Sequence, residues 1–388
     1  MLPRDPQVSG VITVEEVKTS KQRKAFLDFP LKLYKNNPCF VPPLYGDEKK
    51  IFRPDYVYRD TCESAFFLAF AEGKVVGRIE GIVQRAANEK NGERRCRFTR
   101  FDAIDDKEVS AALFGALENW ARQKGMDTVC GPLGYSDLER EGLLVEGFDR
   151  LSTFEEQYNA EYYQHHIEAL GYEKEVDWLE SMLYAPKEDD GSLKKMADYI
   201  MQRYRLHFGP AKNINDFLKK YTDGFFELLD IGYGKIYGAV PFTDGMKKMM
   251  VANFKLIIDL KHVAVILDEN DKLVCLGICF PSIAAAVQKS DGRLTPAAIV
   301  RLLRAIKKPK VLDLGLIAVS PEYLNRGVSA VIASELVRML KEDGIEYAET
   351  NLNLEDNYAI RNMWKRFDEV HHKRRRSYVK KIGEGVEP

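Results

Sequence analysis

The sequence predicts an α+β chain, a mixed α/β sandwich in which one unit, a mixed sheet flanked by helices, is built twice. Three observations predict it. Alternating apolar runs joined by a short polar turn recur at residues 65–84 and 262–280. An apolar run, a glycine turn, a helical period and a second apolar run follow one another between residues 311 and 352. The triplet Val109-Ser110-Ala111 stands 16 residues before Gly125, and Val328-Ser329-Ala330 stands 16 residues before Gly344, each between two strand-like runs. Self-similarity of this kind implies an internal duplication.

Residues 11–17 alternate as a first strand, and a helix follows from Ser20 through Phe26, Phe29, Leu31 and Tyr34, bent at Pro30. Pro38, Pro42 and Pro43 make residues 36–44 a rigid loop, because each proline fixes its own φ and pushes its predecessor to extended geometry. Residues 65–71 and 74–84 read as a strand pair turning at Glu72-Gly73. A third strand at 97–104 leads through Asp105, Asp106 and Glu108 into a helix at 109–124 that Gly125 ends. A glycine-punctuated acidic loop spans 137–142, a helix opens at Asn159 and stops at Gly171, and residues 172–184 close the sheet. The linker at 186–192 divides the chain into expected domains at 10–186 and 187–388.

The second domain opens with helices at 193–204, 214–229 and 242–260, the last with a core-facing Met stripe. After the strand pair at 262–280 comes an excursion whose helix, 296–307, carries Arg301 and Arg304 on a solvated face that continues to Lys308. Residues 312–319 form an inner strand. The helix from Val328 puts Ile332, Leu336, Met339 and Leu340 on one face, and residues 347–352 supply the next strand. Arg374, Arg376 and Tyr378 alternate along a last strand, read as an exposed edge guarded by basic side chains.

With 45% apolar residues the chain has a core for each domain, and 58 Lys and Arg against 59 Asp and Glu give no bulk charge for coating nucleic acid or binding a membrane. No window of about 18 uninterrupted apolar residues and no N-terminal targeting pattern occur, so a cytoplasmic protein is expected. The six cysteines, Cys275 and Cys279 included, read as free core thiols, and neither they nor the six histidines have metal-ligand spacing.

The chemistry concentrates at Asn325-Arg326-Gly327. A glycine turn entering a helix leaves backbone N–H groups unpaired at the positive end of the helix dipole, which suits a phosphate or diphosphate. The stretch 311–357 resembles the GNAT superfamily of acyl-CoA-dependent N-acyltransferases, whose turn pattern falls here on Leu324, Gly327 and Ser329 and whose later asparagine falls on Asn357. Leu324 stands where a Gln or Arg is usual. The run Leu354-Glu355-Asp356-Asn357, followed by Ile360, Met363 and Trp364, and the proline-rich run at 37–44, are similar to a bacterial group within it.

The resemblance implies two tandem GNAT-like folds, each a twisted mixed sheet flanked by helices, with acetyl-CoA or another acyl-CoA as co-substrate and a small-molecule or peptide amine as acceptor. It places the pantetheine arm on Ile317, Ala318 and Val319, the diphosphate on Arg326, Gly327, Val328, Ser329 and Ala330, and Asn357 at the splay of the sheet. Asp313 and Glu349 become the base candidates. The usual tyrosine acid falls on Trp364, leaving Tyr358 and Tyr378 as phenols. Before the first Val-Ser-Ala, three carboxylates and no glycine would repel a diphosphate, so the first copy is expected not to bind CoA. Two other readings stay open: a tandem GNAT-like transferase using aminoacyl-tRNA, and a ligand-binding or structural protein with an eroded site.

Overall fold

The computed structural model describes residues 10–234 and 236–383, so the N-terminal stretch read for targeting signals and the last five residues lie outside it. The chain divides into two compact units. Among the described residues, unit 1 holds residues 10–178, Ala284–Ala298 and 373–383, and unit 2 holds Leu179–Ile283 and Ile299–His372.

Unit 1 contains β1 (Thr13–Glu16), α1 (Ser20–Leu33), α2 (Tyr45–Glu48), β2 (Cys62–Ala71), β3 (Lys74–Gln84), α3 (Arg85–Asn91), β4 (Arg95–Ala103), α4 (Lys107–Gln123), β5 (Thr128–Gly131), β6 (Leu143–Glu146), α5 (Tyr162–Ala169) and the first half of β7 (Glu173–Tyr184). Strands β1 to β4 pair antiparallel in sequence order, and β4 pairs parallel with β5. Glu72 at φ 49° and Gly73 at φ 75° make the two-residue turn that matches strand twist. A parallel join needs a crossover, and α4 provides it. Its Leu113 and Leu117 sit directly on β3, because a Cβ on Gly77 or Gly81 would lie 2.8 Å or 2.7 Å from their Cδ1 atoms. Leu113, Phe114 and Leu117 bury with Ile79 and Phe98 to form the core.

Unit 2 continues with α6 (Ser192–Arg203), β8 (His207–Phe208), α7 (Ile214–Tyr233), α8 (Asp244–Ile257), β9 (Val263–Leu267) and β10 (Leu273–Pro281). α9 (Ala284–Gln288) belongs to unit 1, and α10 (Pro296–Lys307) leads back into unit 2. There follow β11 (Val311–Val319), α11 (Val328–Glu342), β12 (Tyr347–Thr350), β13 (Asn353–Leu354), α12 (Tyr358–Trp364) and β14 (Asp368–Lys381), whose last part returns to unit 1. β9, β10 and β11 pair antiparallel, β11 and β12 pair parallel, and α11 makes the crossover. This repeats the order β2, β3, β4, α4, β5, as the duplicated triplets anticipate.

One expectation is corrected. The last strand is not an exposed basic edge: Lys373, Arg375 and Ser377 are fully buried, and β14 pairs with β5 and β6. Its arginines meet carboxylates across the sheet, Arg374 with Glu146 at 2.9 Å and Arg376 with Asp177 at 2.8 Å. Of these four groups Asp177 is the buried one, and its charge persists because the arginines pair with it. All six cysteines are free thiols, as read from the sequence, and five are buried. No described helix is long and apolar enough to cross a membrane.

Candidate functional site

Gly327 adopts φ 79°, the left-handed residue that turns the chain from a 3-10 turn at Pro321–Tyr323 into α11. Any Cβ there would stand 2.9 Å from Ile200 Cδ1 on α6. No side chain caps this helix; the Ala330 N–H bonds the Gly327 carbonyl at 2.8 Å. Val328 and Ala330 are buried, whereas Arg326 and Ser329 are exposed. The Arg326 guanidinium lies 4.8 Å from the Tyr323 ring centre and 5.3 Å from that of Tyr204, which holds its charge beside the helix start. The matching end of α4 has the opposite character. Asp106 Oδ1 accepts the Glu108 N–H at 2.8 Å, so a carboxylate already occupies that helix terminus.

Beside the α11 terminus the sheet opens. β11 pairs with β12 only from Val311 to Leu314, while its ladder with β10 continues to Val319. Gly315 sits at the irregularity, where a Cβ would overlap the Phe280 ring at 2.2 Å. Ile317, Ala318 and Val319 therefore pair with Gly277, Leu276 and Cys275 and have no partner on β12. The Tyr233 hydroxyl, at the end of α7, donates to the Ile317 carbonyl at 3.1 Å. A small apolar hollow lies here, lined by Gly277, Cys279, Leu314, Ile317, Leu336 and Trp364 among others.

Asp313 and Glu349 are direct register partners across β11 and β12, and both are buried. Leu312, Leu314 and Ala348 join the α11 core, so by strand alternation the two carboxylates face the other side of the sheet. There Phe280, the partner of Asp313 on β10, meets Phe254 of α8 at 5.2 Å. His372 Nε2 lies 3.2 Å from Glu349 Oε1. Two adjoining carboxylates and an imidazole make a group that can accept and hold a proton. Sequence reading missed His372. Its one signal was the pair His371-His372, whose members point to opposite sides, the first exposed and the second buried.

The other predicted residues are placed as follows. Asn357 Oδ1 accepts the Ile360 N–H at 3.2 Å and caps α12. Tyr358 is exposed at the start of that helix. Tyr378 belongs to unit 1, opposite Gly131 on β5, and donates to Glu168 Oε1 at 3.1 Å. Trp364 is buried, its indole N–H donating to Asn353 Oδ1 at 2.7 Å.

No family model matches the chain. It is 29% identical over 374 residues to protein YghO of Escherichia coli (strain K12), covering 92% of this chain and 93% of that one. It is 27% identical over 302 residues to the bacterial ceramide synthase of Caulobacter vibrioides (strain NA1000 / CB15N), covering 76% and 77%. Among solved structures, a tandem GNAT protein from the clavulanic acid biosynthesis pathway matches at TM-score 0.54 and 12% identity, over 97% of this chain and all of that one. A GCN5-related glucosamine N-acetyltransferase region of a fungal multi-domain β-N-acetylglucosaminidase matches at TM-score 0.55 and 12% identity, over 96% of this chain and 38% of that one. Two runs of four strands in the same order, each crossed by one helix between its parallel strands, together with these likenesses, identify the fold as that of the GNAT acetyltransferases, in tandem.

Proposed function

We propose that the protein is an acyl-CoA-dependent N-acyltransferase, with unit 2 holding the acyl-CoA and unit 1 a degenerate copy that does not. The observation that carries this reading is the contrast between the two crossover helices. α4 is closed by Asp106, while α11 starts on a left-handed glycine without a side-chain cap, beside strands that part. An uncapped terminus suits a diphosphate, and a strand segment that lacks a neighbour on one side suits a pantetheine arm. The relative named a ceramide synthase supports an amide-forming reaction, since a ceramide is an N-acylated amine.

Acyl-CoA, when bound, supplies the thioester carbonyl. The N–H groups of Gly327, Val328 and Ser329, with Arg326, would hold its diphosphate, the Ala330 N–H being taken by the Gly327 carbonyl, and Ile317, Ala318 and Val319 would hold its arm. Asp313 and Glu349, with His372, would take the proton that the acceptor ammonium must lose before its nitrogen attacks the carbonyl and the thiolate leaves. We place this activity in the cytoplasm.

The test is calorimetry with acetyl-CoA and longer acyl-CoAs on the wild type and on Gly327→Glu, followed by thiol release with a panel of amines. Saturable binding that the glutamate variant loses is expected; absence of binding to every acyl-CoA in the wild type would sink the reading. A second reading, a ligand-binding protein without turnover, is favoured by Trp364, which stands at the usual phenol position with its N–H committed to Asn353. Binding without thiol release would select it.

A further inference from the structure

The excursion between β10 and β11 carries no Asp or Glu between Asp291 and Asp313, yet it holds the cations Arg293, Arg301, Arg304, Lys307, Lys308 and Lys310. Its helix, α10, forms from its own residues. Pro296 takes the first helical position, the Thr295 hydroxyl accepts the Ala298 N–H at 3.2 Å, and Pro309 stops the helix after Lys307. Ala298 is buried and Leu302, Ala305 and Ile306 are half-buried, which fixes the face that packs on the protein.

The outward face is not the purely solvated one read from the sequence. Ile299, Val300 and Leu303 are 45%, 47% and 52% exposed. With Lys307 they share an arc of about 100° on the helix, and Arg301, Arg304 and Lys308 run along one side of that arc. Arg293 pairs with Asp28 and Lys310 with Glu346, whereas Arg304, Lys307 and Lys308 have no carboxylate partner among the described residues. Single exposed apolar residues are ordinary, but three together on one helix face, bordered by unpaired cations, form a patch of defined chemistry.

That chemistry selects among occupants. Nucleic acid would use the cations, but residues 293–310 contain no aromatic side chain on which a base could stack, and it leaves the isoleucine, valine and leucine unused. A second copy of the same face would cover the apolar stripe, but a two-fold contact would set cations against cations. A lipid surface with anionic headgroups takes both, its acyl region the apolar side chains and its phosphates the cations.

We propose that α10 is an interfacial anchor that lies flat on an anionic phospholipid bilayer, with Ile299, Val300 and Leu303 in the acyl boundary and Arg301, Arg304, Lys307 and Lys308 on the headgroup phosphates. At 12 residues the helix is too short to cross the bilayer. The even overall charge of the chain is compatible with this, because a charged surface acts over only about 10 Å at cellular salt, so the local patch decides. The association is reversible, since so small an apolar face and a few cations hold far less firmly than a spanning helix.

Co-sedimentation of the full chain with vesicles of phosphatidylcholine and phosphatidylglycerol, and with vesicles of phosphatidylcholine alone, tests this. Expected are saturable binding to the mixed vesicles, binding about tenfold weaker or less to phosphatidylcholine alone, and release as salt is raised. Binding to the mixed vesicles should fall about tenfold in the charge variant Arg304→Gln/Lys307→Gln and about tenfold in the apolar-face variant Ile299→Ser/Leu303→Ser. Thermal melts establish that each variant folds; should the apolar-face variant fail to, the charge variant and the phosphatidylcholine vesicles decide. No binding to the mixed vesicles would overturn the proposal, as would equal binding to both kinds of vesicle or unchanged binding in either folded variant. RNA binding without vesicle binding, or a dimer in ultracentrifugation that the apolar-face variant separates, would overturn it in favour of another occupant. The assay uses neither acyl-CoA nor turnover, so failure here leaves the acyl-transfer reading of unit 2 standing.

Discussion

Replacing Tyr233 by phenylalanine removes one hydroxyl and leaves the ring. That hydroxyl donates to the Ile317 carbonyl at 3.1 Å. A pantetheine arm running along β11 would use the same carbonyl, so the side chain and the coenzyme compete for it. A neutral hydrogen bond contributes about 1 kcal/mol net, and about 1.4 kcal/mol is a tenfold change in affinity. Tyr233→Phe should therefore tighten acyl-CoA binding by about fivefold while lowering the unfolding free energy by about 1 kcal/mol. The assay is calorimetric titration of both proteins with acetyl-CoA in one buffer, with urea unfolding as the check on the fold. An unchanged or weakened Kd in a folded variant would refute the reasoning, because it would show that the bound arm does not meet the Ile317 carbonyl.

Asp313→Asn and Glu349→Gln should each lower kcat by about 10²- to 10⁴-fold in thiol release, with the acyl-CoA Kd unchanged; a change in Kd instead would move these residues to binding. Asp177→Ala takes the nearest carboxylate from the partly exposed Arg376 and should cost about 1 to 2 kcal/mol in urea unfolding, an unchanged unfolding free energy counting against a structural role for the pair. Unit 1 also carries a pH signature. Burial pushes the Glu80 carboxyl up to about 7 against the pull of Arg100, so its stabilising contribution is complete below its unfolded value of 4.5 and is lost as pH rises through about 7. Burial also raises Glu48, but Arg100 overrides it and brings that carboxyl to about 2, so its contribution is present above 4.5 and is lost as pH falls toward about 2. Glu80→Gln should flatten the decline in unfolding free energy between about pH 5 and about pH 8 and leave the acid limb in place; an unaltered decline would assign that proton elsewhere.

Much of the scaffold was legible because its determinants are local. The Glu72-Gly73 turn, the alternation on either side of it and the glycine at the head of α11 each depend on a few neighbouring residues, and each forms as read. The duplication was legible because the same local chemistry occurs twice at the same spacing. The basic run at the end of the chain was misread because its partners, Glu146 and Asp177, lie about 200 residues away in sequence. His372 escaped for the same reason, since Glu349 becomes its neighbour only through folding.

By itself the sequence determined two strand–helix–strand units and the difference between them, three carboxylates around the start of α4 and a glycine before α11, because helix starts and tight turns respond to the residues that form them. Tertiary structure alone decided which charged groups are buried together, that β11 and β12 part after Leu314, that Tyr233 reaches the Ile317 carbonyl, and which face of α10 packs and which stays exposed. Each of those depends on groups distant in the chain coming within a few ångströms. Hydrogen bonding and desolvation act over that range, and residue order does not encode it directly.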